Sequence, residues 1–148
     1  MRFTFIKTIK SVLQGQYLNY WQHKLFDNKN KPHGNKLKSY RTYKTIFQKE
    51  EYLTIKSMSI RSDFTRLRLS AHKLHIETGH YVDAANRKDP SDRICSFCTS
   101  NICEDEYHVV MKCALYDDYR QNMIHNMCDL FPNFNQYNDD QRFIWLMS

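Results

Sequence analysis

Four cysteines and a histidine crowd into residues 95 to 113, and this cluster constrains what the chain can fold into more than any other feature of it. Zinc takes four sulfur or nitrogen ligands in a tetrahedron, and a C-x2-C turn places two sulfurs on one side of the ion while later ligands close the other. Five candidates compete for the four places. One set is Cys95, Cys98, His108 and Cys113, spaced C-x2-C-x9-H-x4-C; the other replaces Cys113 with Cys103, which gives a zinc knuckle with its last two ligand types exchanged. Thiols that bind nothing are the bland alternative. Cys128 stands apart and fits the apolar side of a following helix.

The local geometry adds a constraint. His108 and Cys113 are five residues apart, about 500° of α-helix, so they cannot share one face of a regular helix. A helix that starts near Glu104-Asp105-Glu106, where acidic residues meet the positive end of the macrodipole, must therefore end or distort by Cys113. Four protein ligands also leave no open position on the ion, so the site is expected to be structural. Arg2, Lys7 and Lys10 interrupt the apolar residues at the start, which argues against a secretory signal and for a nuclear or cytoplasmic address. In such a compartment clustered cysteines read as metal ligands before disulfides.

With 148 residues the chain suits one domain, and 3 Gly with 3 Pro are poor material for the turns of a sandwich or barrel. The expected fold is mainly α: a small helical domain with a short β-turn element and one structural zinc site. Phe5, Ile9, Val12, Leu13, Tyr17, Tyr20, Trp21 and Leu25 trace the core face of a long first helix, with Lys7, Lys10 and Gln14 off that face. Residues 28 to 35 read as a loop around Pro32 and Gly34. A second helix is expected from Ser39, with Tyr40, Tyr43, Ile46, Phe47 and Leu53 on its buried side. A third starts near Ser59 as cap, with Ile60, Phe64, Leu67 and Ala71 inward. The alternation Leu74-His75-Ile76-Glu77 before Thr78-Gly79 predicts a short strand and turn. A helix over Tyr116 to Leu130, stopped near Pro132, and a last one around Phe143 to Met147 complete the chain. The parts are thus a basic helix and loop (1 to 38), a helical middle (39 to 92), and a zinc module with the final helices (93 to 148).

Charge divides the chain unequally. Residues 1 to 49 hold eleven Lys or Arg against Asp27 alone, whereas residues 50 to 148 hold eleven against fifteen acids, so a basic part precedes an acidic one. Basic residues interleaved with aromatics point to a polyanion, because each Lys or Arg near a phosphate releases counterions. Lys29, Lys31, Lys36, Lys38, Arg41 and Lys44 form the densest group. Arg61 and Arg68, seven apart on the third helix, offer a further pair for phosphates or a solvated face. RNA or DNA is the expected partner. No run of 18 apolar residues occurs, so no membrane partner is expected.

The runs Leu67-Arg68-Leu69-Ser70-Ala71-His72-Lys73-Leu74-His75-Ile76-Glu77-Thr78-Gly79-His80-Tyr81, Arg93-Ile94-Cys95-Ser96-Phe97-Cys98, Glu104-Asp105-Glu106-Tyr107-His108 and Cys113-Ala114-Leu115-Tyr116 carry a resemblance. Together they resemble the segment that follows the polymerase domain in non-LTR retrotransposon (endonuclease–reverse transcriptase) polyproteins of animals, over about residues 39 to 147. The resemblance implies a CCHC zinc module that grips nucleic acid near the polymerase, with a retrotransposon ribonucleoprotein as its setting. It selects Cys95, Cys98, His108 and Cys113 as the Zn2+ ligands.

Catalysis is not expected. Leu115-Tyr116-Asp117-Asp118 is not a Y-x-D-D box, since the residue two before the Asp pair is Leu115. Two-metal chemistry needs carboxylates brought from separate strands, whereas these two lie in a helical run. No G-x-x-x-x-G-K-[ST], G-x-S-x-G or H-E-x-x-H occurs, so no small-molecule substrate is expected. The expected function is a non-catalytic nucleic-acid-binding accessory module. A zinc-stabilised protein-interaction module, or a retrotransposon remnant with no present function, carries the same motifs.

Overall fold

In a computed structural model that describes residues 2–26, 37 and 39–148, the chain is mainly helical. The expected loop at 28 to 35, and with it Lys29, Lys31, Lys36 and Lys38, lies outside the described residues. Among the described residues six α-helices succeed one another: α1 (Arg2–Phe26), α2 (Tyr40–Tyr43), α3 (Met58–Arg68), α4 (His75–Thr78), α5 (Asp117–Leu130) and α6 (Asp139–Met147). Short 3-10 turns and one π-turn, His108–Lys112, join them. Among the described residues there is no β-strand, only an isolated antiparallel bridge between Ile94 and Cys103.

Two helices begin on caps that explain their position. Ser57, not Ser59, caps α3: its side chain accepts from the Ile60 N–H. Asn138 and Gln141 exchange side-chain and backbone bonds at the start of α6, a capping box that satisfies two otherwise orphaned N–H groups. At the end of α5 the chain leaves the helix after Leu130, and Pro132 opens a 3-10 turn, as a residue without an N–H must.

The core is small and lies between α2, α3, α6 and the π-turn. Tyr43, Met111, Phe143 and Met147 are buried there, with Tyr40, Phe64, Leu67, Tyr107, Val110 and Leu146 packed against them. Tyr107 and Tyr43 both meet the Phe143 ring edge-on, at 5.2 and 6.3 Å between centroids. Tyr107 also donates to Asp140 (2.6 Å), and Lys112 pairs with Asp139, so the π-turn is tied to the first turn of α6. A second cluster forms where buried Phe134 meets Trp145, 5.3 Å between centroids.

Several expectations fail, among them Ile60, expected inward on α3 but exposed. The long first helix forms, but Ile9, Val12, Leu13, Tyr17 and Tyr20 are exposed on it, and among its described side chains, which do not include that of Phe5, only Leu25 is buried. The second helix is a single turn, since at Lys44 the backbone leaves the helix and the side chain reaches to Gln48 O and Glu50. Ile46, Phe47 and Leu53 are consequently exposed rather than core. Leu74 to Glu77 is not a strand but the entry to α4; with no neighbouring strand to pair with, Ile76 N instead donates to Glu104 O. Ala71 falls beyond α3 and is exposed.

Candidate metal centre

The Ile94–Cys103 bridge creates the first half of the site. Cys95 N donates to Ile102 O (2.9 Å) and Glu104 N to Arg93 O (2.9 Å), which closes a tight loop over residues 96 to 101. Asn101 completes that loop with φ 55°, a left-handed conformation that asparagine tolerates better than most residues. Cys95 is thereby buried at the base of the loop and Cys98 sits higher on it, with its sulfur 2.9 Å from Ser100 Oγ.

The second half solves the spacing problem posed by a five-residue separation. Asp105 Oδ1 accepts from His108 N at 2.7 Å, which starts the turn, and Cys113 N donates to His108 O at 2.7 Å. This last bond spans i to i+5, so the chain makes a π-turn where an α-turn would have pointed the two side chains apart. His108 and Cys113 are both fully buried.

The four groups meet. One ligand atom each from Cys95, Cys98, His108 and Cys113 lies within 4.8 Å of all the others, an arrangement that could hold a metal ion. Cys95 and Cys113 sulfurs are 3.9 Å apart, and His108 Nε2 is 3.3 Å from Cys98 Sγ. Tetrahedral bonds of about 2.3 Å to sulfur and about 2.0 Å to nitrogen require separations of about 3.8 and 3.5 Å. The donor set therefore fits such an ion with shifts of a few tenths of an ångström at these pairs. His108 Nδ1 is buried without a hydrogen-bond partner among the described residues, while Nε2 faces the Cys98 sulfur. Cys103 is not in the group. Its thiol donates to Pro90 O at 3.0 Å, on the far side of the bridge.

Electrostatics separates the thiols. Hydrogen bonds from the Ser100 side chain and backbone pull half-buried Cys98 down to about 6, which favours the thiolate, the form that binds metal. Burial pushes the Cys95 thiol up, and a cation among the sulfurs is what would offset that.

Around the four groups lie residues that sequence reasoning did not identify. Arg120 donates to Cys113 O (2.5 Å) and Val110 O (3.1 Å), carbonyls at the end of the π-turn, and its Nη1 pairs with Asp117. Buried Glu106 accepts from Ser39 Oγ (2.7 Å), Ser70 Oγ (2.6 Å) and His72 Nε2 (2.9 Å), so it ties the site to two segments distant in sequence. Glu104 approaches His75, 3.1 Å from Nδ1. Arg93 bonds Ile76 O and Lys88 O, and Gly79 leaves it room, since a Cβ there would overlap the guanidinium. The acidic run 104 to 106 was the available signal: two of its three carboxylates face inward, which no helix-dipole argument requires.

The expected nucleic-acid contacts fare differently. Arg68 is 0% exposed: it pairs with Glu50, donates to Ser148 O and lies 4.8 Å from the Tyr43 and Tyr52 ring centres. Lys44 is buried against the same Glu50 at 3.1 Å. Arg61 donates to Leu53 O and Ile55 O. Arg68 and Lys44 are thus buried in the fold, whereas Arg61 is partly exposed. Arg41 is partly exposed at the start of the middle segment. Asp117 and Asp118 are exposed in the first turn of α5, the solvent-facing position expected of them.

No helix among the described residues is long and apolar enough to cross a membrane. Set against known protein families, curated proteins and solved structures, the chain matches none.

Proposed function

We propose that the chain is a zinc-stabilised, non-catalytic module that binds RNA or DNA in the nucleus or cytoplasm, derived from the segment after the polymerase of a non-LTR retrotransposon and acting beside it in a ribonucleoprotein. The observation that carries the zinc assignment is the convergence of Cys95, Cys98, His108 and Cys113 on one point. Three thiols and an imidazole suit zinc among the common metals, and four protein ligands leave no position for substrate. The zinc would pin the 95 to 98 loop against the π-turn. The unequal charge of the chain supports a polyanionic partner.

Elemental analysis of protein purified without added metal tests the assignment. One zinc per chain is expected, retained in Cys103→Ser and lost in Cys113→Ser; the reverse pattern would move the site to Cys103, and metal-free folded protein would refute it. Salt-dependent binding to RNA and DNA then tests the function.

A second reading, a protein-interaction module, draws on the exposed apolar stripe of α1, where Ile6, Val12 and Leu13 are each about half exposed. It predicts complexes that persist at high salt, because apolar burial is little screened.

A further inference from the structure

Resting on the nucleic-acid reading above, the geometry points to a binding site for single-stranded nucleic acid along α1, with Tyr17 and Phe47 as the platform for unpaired bases and Lys7 and Lys10 as the phosphate contacts. The residues Lys7, Lys10, Gln14, Tyr17, Trp21 and Lys24 follow one another in steps of three and four, so they share one face of the helix. At 1.5 Å per residue this strip is about 25 Å long, room for on the order of five nucleotides. This strip borders the apolar stripe of Ile9, Val12 and Leu13 and shares Tyr17 and Trp21 with it, while Lys7, Lys10 and Gln14 lie on the side away from that stripe.

Three observations favour a nucleic acid over an apolar partner here. First, the face is aromatic and open: Tyr17 is 56% exposed, Phe47 is 45% exposed, and their ring centres stand 5.2 Å apart with Trp21 5.5 Å beyond Phe47. Secondly, the charge has one sign. Between Arg2 and Phe26 there is no acidic residue, and lysines stand at both ends of the aromatic group. Thirdly, a groove of about 640 Å³ between α1 and residues 45 to 47 adjoins this face at Gln14 and Phe47, and beside Leu18 and Ile46 it is lined by Ser11, Gln22 and Thr45, whose hydroxyls and amides can pair with base edges. Stacking on flat rings needs bases that are not already paired, which selects a single strand over a duplex.

The test uses the full chain loaded with zinc, fluorescein-labelled twelve-nucleotide oligo(dT) and oligo(U), and a duplex of the same length, followed by anisotropy at several salt concentrations. Tighter binding of the single strands is expected, with quenching of Trp21 emission read in a Trp145→Phe background. Tyr17→Ala should weaken single-strand binding by about 5- to 100-fold, the range for losing one stacked base, and Tyr17→Phe should restore it. Lys7→Gln with Lys10→Gln should flatten the salt dependence by about 1.4 in log–log slope, two phosphates at about 0.7 each.

Several results would overturn the site. Oligonucleotide binding that is indifferent to Tyr17→Ala, or equal for duplex and single strand, removes it while leaving the broader nucleic-acid reading intact. No binding to any oligonucleotide refutes both. Binding instead to phosphatidylserine vesicles, or a dimer that Tyr17→Ala dissociates, would give α1 to a membrane surface or a second copy of the chain.

Discussion

Arg68 decides between two uses of the same side chain. Sequence periodicity offers it to phosphates, whereas the structure buries it completely beside Glu50 and among four rings, those of Tyr40, Tyr43, Tyr52 and Phe64. Arg68→Ala removes a paired, buried charge, which costs about 3–5 kcal/mol where the partner is left without compensation. Here Lys44 and the Tyr40 hydroxyl stay on Glu50, at 3.1 and 2.9 Å, so the carboxylate is not abandoned and a value near 3 kcal/mol is expected. For a chain of this length that corresponds to about 10 °C in Tm. Urea unfolding of the zinc-loaded protein, followed by circular dichroism, measures it. A cycle with Glu50→Gln should return a coupling of about 1–3 kcal/mol. A loss below about 1 kcal/mol, together with a flatter salt dependence of oligonucleotide binding in Arg68→Ala, would refute the reasoning and hand the residue back to phosphate.

Other outcomes follow from the surroundings of the metal centre. Burial alone would raise the Glu106 carboxyl, but the bonds from His72, Ser70 and Ser39 overcome it and hold the group at about 2, against an ordinary value of 4.5. A lowered folded-state value means the stabilisation, about 3 kcal/mol, is complete above pH 4.5 and is lost as pH falls toward 2. Melting temperatures from pH 6 to 2 should fall more steeply for the natural protein than for Glu106→Gln, and parallel curves would contradict the linkage. Gly79→Ala should cost about 1–3 kcal/mol because its Cβ falls 3.0 Å from Arg93 Cζ and closer still to the rest of the side chain; an unchanged melt would show that Arg93 yields freely. Arg120→Ala removes the donors from Cys113 O and Val110 O and should weaken zinc by about 10- to 100-fold in competition with a chelator, whereas equal retention would show that the π-turn holds its shape unaided.

What the sequence could and could not say turns on whether a pattern carries its own partner. The x4 spacing between His108 and Cys113 implies a broken helix from geometry alone, and the π-turn is that break. Phe64 and Leu67 are legible as core from the spacing in α3, but the cap is Ser57 rather than Ser59, and Ile60, near the start of the helix with nothing packed over it, is exposed. Periodicity in α1 states that one face is apolar but not that anything covers it, and nothing buries Ile9, Val12 or Leu13 among the described residues. Likewise Leu74 to Glu77 alternates as a strand does, yet a strand exists only with a neighbour, and the neighbouring segment spends its own backbone on the Ile94–Cys103 bridge.

The choice between Cys103 and Cys113 was the hardest to read, since either spacing satisfies a tetrahedron. The bridge resolves it. Pairing Ile94 with Cys103 puts Cys95 N on Ile102 O and sends the Cys103 thiol to Pro90 O, away from the Cys95 sulfur. The bridged loop that positions the first two sulfurs therefore uses Cys103 as one of its rungs, and the fourth place falls to a residue beyond the π-turn. A bridged loop of this kind needs the 9-residue spacer between Cys98 and His108, because the returning segment through Cys103 and the Asp105 cap both fit inside it. Shortening that spacer should remove the rung and free Cys103 to compete, so loop deletions within 99 to 102 would transfer the loss of zinc from Cys113→Ser to Cys103→Ser.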